Sequence, residues 1–194
     1  MSTGESTLVV SAHAADFVWR AGGAIALAAA RGDRVTVLCL TYGERGESAS
    51  AWRAGQNLEE IKALRRAEAE NAAAALGAEI EFLDAGDYPL RETDELVDRI
   101  VGVYRRVNPS VVLTHPLADP YNQDHPAAAQ MALRARVLAQ AIGYPAPGEP
   151  GASGREADGD RSIGPLVASC ACSLAMSCST SVALVAVPRP VCSA

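Results

Sequence analysis

The chain has 194 residues, 49% of them hydrophobic and 21% charged, with a formal net charge of -6. This length holds one domain with a sizeable core, and so large an apolar share excludes a disordered chain. The acidic balance leaves no basic stripe for a nucleic-acid backbone, and the opening MSTGESTLVV has no basic segment leading a long apolar one, so neither a signal peptide nor a nucleic-acid partner is expected, and the protein is placed in the cytoplasm.

Residues 7–12, TLVVSA, form a short β-branched apolar run that reads as a strand, and FVWRAGGAIALAAARG after it has the apolar spacing of a helix. RVTVLCLTY at 34–42 predicts a second strand, with Cys39 as a core residue of no further role. The loop TYGERGES follows, and residues 57–77 then place Leu58, Ile61, Leu64 and later alanines on one face of a helix that stops at Gly77. EIEFLDA at 79–85 alternates as a strand, residues 93–109 read as a helix capped by Thr93 and ended at Asn108-Pro109, and SVVLTH is a further buried strand. Strands alternating with helices predict an α/β fold: a Rossmann-like, mostly parallel sheet with helices on both faces and a ligand site beyond the C-terminal strand ends. WRAGGAIA lacks the G-x-G-x-x-G spacing of a dinucleotide site.

The rhythm ends near Pro150, so residues 1–150 are expected to form the catalytic domain. Residues 151–194 read as an atypical, poorly ordered low-complexity tail, whose shift in composition suggests a replaced, truncated or frameshifted C-terminal part. Positions 162–188 carry no charge, yet their serines, Pro165 and sparse Leu and Phe argue against a membrane span. Cys170, Cys172, Cys178 and Cys192 crowd into this tail at spacings that match no common zinc motif.

The three histidines, His13, His115 and His125, each fall at an expected strand end or in the loop that follows. His13 with Asp16 in one loop and HPLADPYNQDH in another bring imidazoles and carboxylates to one rim. Two nitrogens and an oxygen suit a catalytic zinc site with positions left for water and substrate. Loop and helix-capping polar residues are the alternative reading of the same pattern.

AHAADF, TYGERGES, IKALRRAEAENAAAALG and THPLADPYNQDH, in this order within residues 7–148, resemble the LmbE-like (PIG-L) family of zinc-dependent deacetylases. The resemblance implies that His13, Asp16 and His125 bind Zn2+. Two departures stand out. The family's deacetylases carry an aspartate as general base where this chain has Ala15, preceded by Ala14 in place of proline, and an oxyanion-stabilising histidine where it has Asn122. Amide hydrolysis needs both a base and an oxyanion partner, so the pattern disfavours a deacetylase.

The variant pattern resembles instead the branch of the family that hydrates 4-oxalomesaconate in bacterial gallate and protocatechuate breakdown. That implies a lyase adding water to a small tricarboxylic keto acid to give 4-carboxy-4-hydroxy-2-oxoadipate, with homo-oligomerisation left open. Glu47 is the expected base, in a Gly-flanked loop able to close over the metal, while Glu44 is expected to bond loop amides or an arginine. Arg20, Arg45, Arg53 and Asn122 are the candidate substrate contacts. Asp124 and His115 are placed behind the ligands as orienting groups. Arg65 reads as the i,i+3 partner of Glu68. Two alternatives remain: a deacetylase of N-acetyl sugars, and a catalytically impaired family member whose shortened sheet leaves an exposed edge.

Overall fold

The computed structural model describes residues 5–148, together with the strands Val167–Ser169 and Ala183–Ala186. Apart from those two strands, the expected tail over 151–194 lies outside the described residues. The elements run β1 Ser6–Ser11, α1 Asp16–Ala30, β2 Arg34–Cys39, α2 Ala49–Arg53, α3 Leu58–Leu76, β3 Glu79–Phe82, α4 Asp94–Val107, β4 Val111–Thr114, α5 Asp124–Gln140, β5 Val167–Ser169 and β6 Ala183–Ala186. The sheet order is β3-β2-β1-β4-β6-β5.

β1 lies in the middle of the parallel part, with Val9 opposite Val37 of β2 and Leu113 of β4. Its side chains alternate between two cores, as strand geometry requires. Leu8 and Val10 face the helices α4 and α5, in a core with Ile100, Val101 and Met131. Val9 faces α1 and α3, in a core with Phe17, Ile25 and Ala73. A parallel sheet covered on both faces explains the nearly continuous apolar runs of β1 and β2.

Local signals set the helix ends. Asn57 accepts from the Glu60 amide while the Glu60 side chain returns to the Asn57 amide, and Gly77 closes α3 at φ 75°, a left-handed turn that glycine adopts at little cost. Thr93 caps α4 through the Leu96 amide, 3.1 Å away. Among the described residues no helix is long and apolar enough to cross a membrane.

Two expectations are corrected. His125 lies in the first turn of α5 rather than in a loop. The buried face of that helix is mostly alanine (Ala128, Ala132, Ala135 and Ala139), and such small side chains give little hydropathic contrast from which to read a period. The sheet, moreover, does not end at β4: β6 pairs antiparallel with it, Val112 opposite Val185, and β5 pairs antiparallel with β6. The edge of β4 is therefore covered.

Candidate metal centre

Side chains converge beyond the C-terminal ends of the parallel strands. The backbone just past β1 is pinned first: Leu40 and Thr41 donate their amides to the Ser11 and Ala12 carbonyls, and Ser11 Oγ donates to the His13 carbonyl at 2.8 Å. Cys39, buried, has its Sγ 3.9 Å from the same carbonyl, and burial pushes its thiol up. His13 is thereby held with no solvent exposure. Asp16 opens α1, where the helix dipole favours a carboxylate, and its Oδ2 accepts from the His13 amide at 3.0 Å.

Asp16 Oδ2 is the hub. It lies 3.0 Å from His13 Nδ1, 3.4 Å from His125 Nε2 and 3.6 Å from His115 Nε2. One donor atom each from His13, Asp16 and His125 falls within 4.8 Å of the others, and all three residues are buried. The far nitrogens are held by carboxylates: His13 Nε2 donates to Asp124 Oδ2 at 3.1 Å and His125 Nδ1 to Asp119 Oδ2 at 2.7 Å. These bonds assign the tautomers that aim His13 Nδ1 and His125 Nε2 inward. His125 Nε2 is buried and has no hydrogen-bond partner among the described residues. An orphaned imidazole nitrogen beside a carboxylate and a second imidazole fits a cation such as zinc.

The charges follow from these contacts. Burial pulls His13 down, but its bonds to Asp124 and Asp16, with the charges of Asp16 and Glu47, outweigh that and lift it to about 10. Burial works against the Asp16 charge too, yet the nearness of His125 and His115 and its bond to His13 hold it well below the usual carboxylate range. Asp124 and Asp119 are likewise lowered, burial again being outweighed by the bonds to His13 and His125 respectively. His115 stacks on His125, with ring centres 4.3 Å apart, and its Nε2 accepts from the Ala12 amide at 2.9 Å. Burial holds it down at about 3, so it is a neutral ring.

Glu47 reaches the same centre, with Oε1 3.7 Å from His13 Nδ1 and Oε2 accepting from Arg65 Nη2 at 3.1 Å. Burial and the Asp16 charge raise its carboxyl. Arg65 also bonds Glu68 at 2.7 Å, so it clamps Glu47 as well as its helix neighbour. The loop itself is tied down where mobility was expected. Asp87 accepts from the amides of Arg45 (3.0 Å) and Gly46 (2.8 Å), Ser48 Oγ donates to the Gly43 carbonyl, and Trp52 Nε1 donates to the Glu44 carbonyl. Glu44 is fully buried, accepting from the Tyr42 amide and from Arg45 Nη1.

The remaining candidates are scattered around the rim. Arg20 lies one turn along α1 with Nε 3.5 Å from Asp16 Oδ1, and Arg45 pairs with Asp87 and Glu44. Arg53 is exposed in the last turn of α2. Asn122 accepts from the Asp124 amide through Oδ1 and donates through Nδ2 to the Tyr88 hydroxyl, both at 3.0 Å. Asp124 orients His13, distant in the chain, and not its neighbour His125. Asp119, which the sequence reading passed over, orients His125 and also accepts from the Tyr121 and Asn122 amides. Its place before Pro120 is the usual signature of such a side-chain turn. Tyr88 had no comparable local signal.

Residues 8–136 match the GlcNAc-PI de-N-acetylase family, PIG-L. Over 146 residues the chain is 58% identical to a 4-oxalmesaconate hydratase of Pseudomonas putida, covering 75% of this chain and 56% of that one. It is 32% identical over 166 residues to a 1D-myo-inositol 2-acetamido-2-deoxy-alpha-D-glucopyranoside deacetylase of Rhodococcus erythropolis, at 74% and 56% coverage. The crystal structure of the 4-carboxy-2-hydroxymuconate hydratase of Pseudomonas putida superposes with a TM-score of 0.71 at 54% identity, covering 75% of this chain and 63% of that one. The chain thus spans a little over half the length of these curated relatives.

Proposed function

The chain belongs to the PIG-L family, and from that premise we propose that it is a zinc-dependent hydratase that adds water to 4-oxalomesaconate, giving 4-carboxy-4-hydroxy-2-oxoadipate, with residues 1–150 as its catalytic unit and the cytoplasm as its place of action. The observation that carries this reading is the Glu47 carboxylate, 3.7 Å from His13 Nδ1, in a centre where Ala15 offers no carboxylate. The similarity to the hydratase of Pseudomonas putida supports it.

His13, Asp16 and His125 would hold the zinc, which when bound supplies Lewis acidity toward a substrate carbonyl or carboxylate. Glu47 takes the proton of the incoming water, and its raised pKa brings it nearer the working range of a base. Arg65 fixes Glu47 Oε2 and so leaves Oε1 turned to the centre. Asp124 and Asp119 keep the two imidazoles in their inward-facing tautomers. His115, neutral and stacked on His125, supports that ring without adding charge. Arg20 and Arg53 are the assigned partners of the substrate carboxylates, Arg20 from beside Asp16.

The test is the ultraviolet absorbance of 4-oxalomesaconate with the zinc-loaded chain, beside Glu47→Gln and His125→Ala. Zinc-dependent loss of the conjugated chromophore, abolished in both variants, supports the hydratase. Acetate release from an N-acetyl sugar without that turnover moves the chain to the deacetylase reading, which the Rhodococcus relative favours. A folded, zinc-loaded chain that does neither is a catalytically impaired member.

A further inference from the structure

Hydration pushes an electron pair toward a carbonyl oxygen, and the charge gathering there needs a donor. Of the cations of the rim, Arg20 and Arg53 are given to the substrate carboxylates, while Arg45 pairs with Asp87 and Glu44 and Arg65 with Glu47 and Glu68. Tyr88 is differently placed. Its ring centre lies 5.8 Å from that of His13, and its amide donates at 3.0 Å to Asp124 Oδ2, the same oxygen that holds His13 Nε2. One carboxylate therefore fixes both the inward histidine and the backbone that carries the tyrosine.

The ring is located from two further sides. A Cβ added to Gly46 would fall 2.1 Å from Tyr88 Cε2, so the aromatic face rests on the glycine immediately before Glu47. Opposite, Asn122 Nδ2 donates to the Tyr88 hydroxyl at 3.0 Å, and the end of the amide that does so is settled because Asn122 Oδ1 is taken by the Asp124 amide. The hydroxyl oxygen thus has its donor, while no acceptor for its proton occurs among the described residues. The residue is 51% exposed, an unusual state for an aromatic held at so many points and one that a core-packing role does not explain.

We propose that Tyr88, oriented by Asn122, is the hydrogen-bond donor to the substrate oxygen on which negative charge builds during turnover. This rests on the functional reading above. Water oxygen bonds to one alkene carbon and gives its proton to Glu47, and the displaced π pair passes into the conjugated carbonyl. The Tyr88 hydroxyl donates to that oxygen without parting with its proton. The pair then returns to carbon, which takes a proton back from the site, and the carbonyl re-forms. Burial and the charges of Asp124 and Glu47 raise Tyr88, which keeps the phenol protonated for this role.

Tyr88→Phe keeps the ring against Gly46 and removes only the donor. With zinc content and thermal midpoint as controls of the folded centre, its kcat is expected to fall about 100-fold with KM changed by less than about threefold. Asn122→Ala should lose about tenfold, and the double variant should be no slower than Tyr88→Phe alone, since the two act as one unit. Tyr88→Phe within about threefold of wild-type kcat, on a chain that does turn over 4-oxalomesaconate, overturns the proposal and leaves the hydratase reading standing. A zinc-loaded wild-type chain that does not hydrate that substrate defeats the hydratase reading, and the role given to Tyr88 falls with it.

Discussion

Each inward-facing imidazole owes its direction to one carboxylate. Asp119 bonds His125 Nδ1 at 2.7 Å, so Asp119→Ala frees the ring to rotate and should weaken zinc binding about 10–100-fold, as read by competition with a chelator. Metal must also displace a proton. His13, lifted to about 10 between Asp124 and Asp16, carries one near neutrality, whereas His115, held at about 3, does not. Zinc titrations at pH 7 in buffers of different ionisation enthalpy should accordingly show release of about one proton from His13.

At the scale of elements, the loop after β2 works as a fixed bracket. Gly43 has φ +70°, and a Cβ there would lie 2.6 Å from Glu47 Oε2. Gly43→Ala therefore strains the turn and pushes the Glu47 carboxylate from its place beside His13. Turnover should fall at least about tenfold with zinc content unchanged, a loss confined to chemistry that metal analysis beside kinetics will separate from unfolding. Behind the site, α5 is held at its far end by α4. Arg105, 8% exposed, donates to the carbonyls of Ala141 (3.3 Å), Tyr144 (3.0 Å) and Gly148 (2.9 Å). Arg105→Met leaves those carbonyls without their donor and should cost about 2–3 kcal/mol in denaturant unfolding.

For the molecule as a whole, the buried histidines set an opposed pH dependence in the metal-free state. His13 has a folded pKa of about 10 against an ordinary 6.5, so its stabilisation is complete below 6.5 and is lost as pH rises toward 10. Burial holds His115 at about 3, so its contribution is present above 6.5 and is lost as pH falls toward 3, where the unfolded chain takes a proton that the folded ring refuses. The chelated protein should have its highest thermal midpoint near pH 6.5, declining on both sides across scans from about pH 4 to about pH 10. Zinc should remove the alkaline decline, because His13 gives up its extra proton on binding.

The alternation of strands and helices was legible in the chain because β1, β2 and β4 are buried on both faces and read as nearly continuous apolar runs, the edge strand β3 alternates, and Thr93 and Gly77 mark their helix ends locally. His13, Asp16 and His125, which lie within 4.8 Å of one another, were named through the family resemblance, whereas spacing alone left capping roles open. α5 was not legible, because its buried face is alanine, and neither was the pairing of β6 with β4, which links residues far apart in the chain. The partners of the site followed the same division. Asp124 with His13, Arg65 with Glu47 and Asn122 with Tyr88 are separated by 111, 18 and 34 positions. Periodicity reports which face of an element is buried and never what lies against it, so these pairings were decided only when the sheet order set the loops beyond its strand ends side by side.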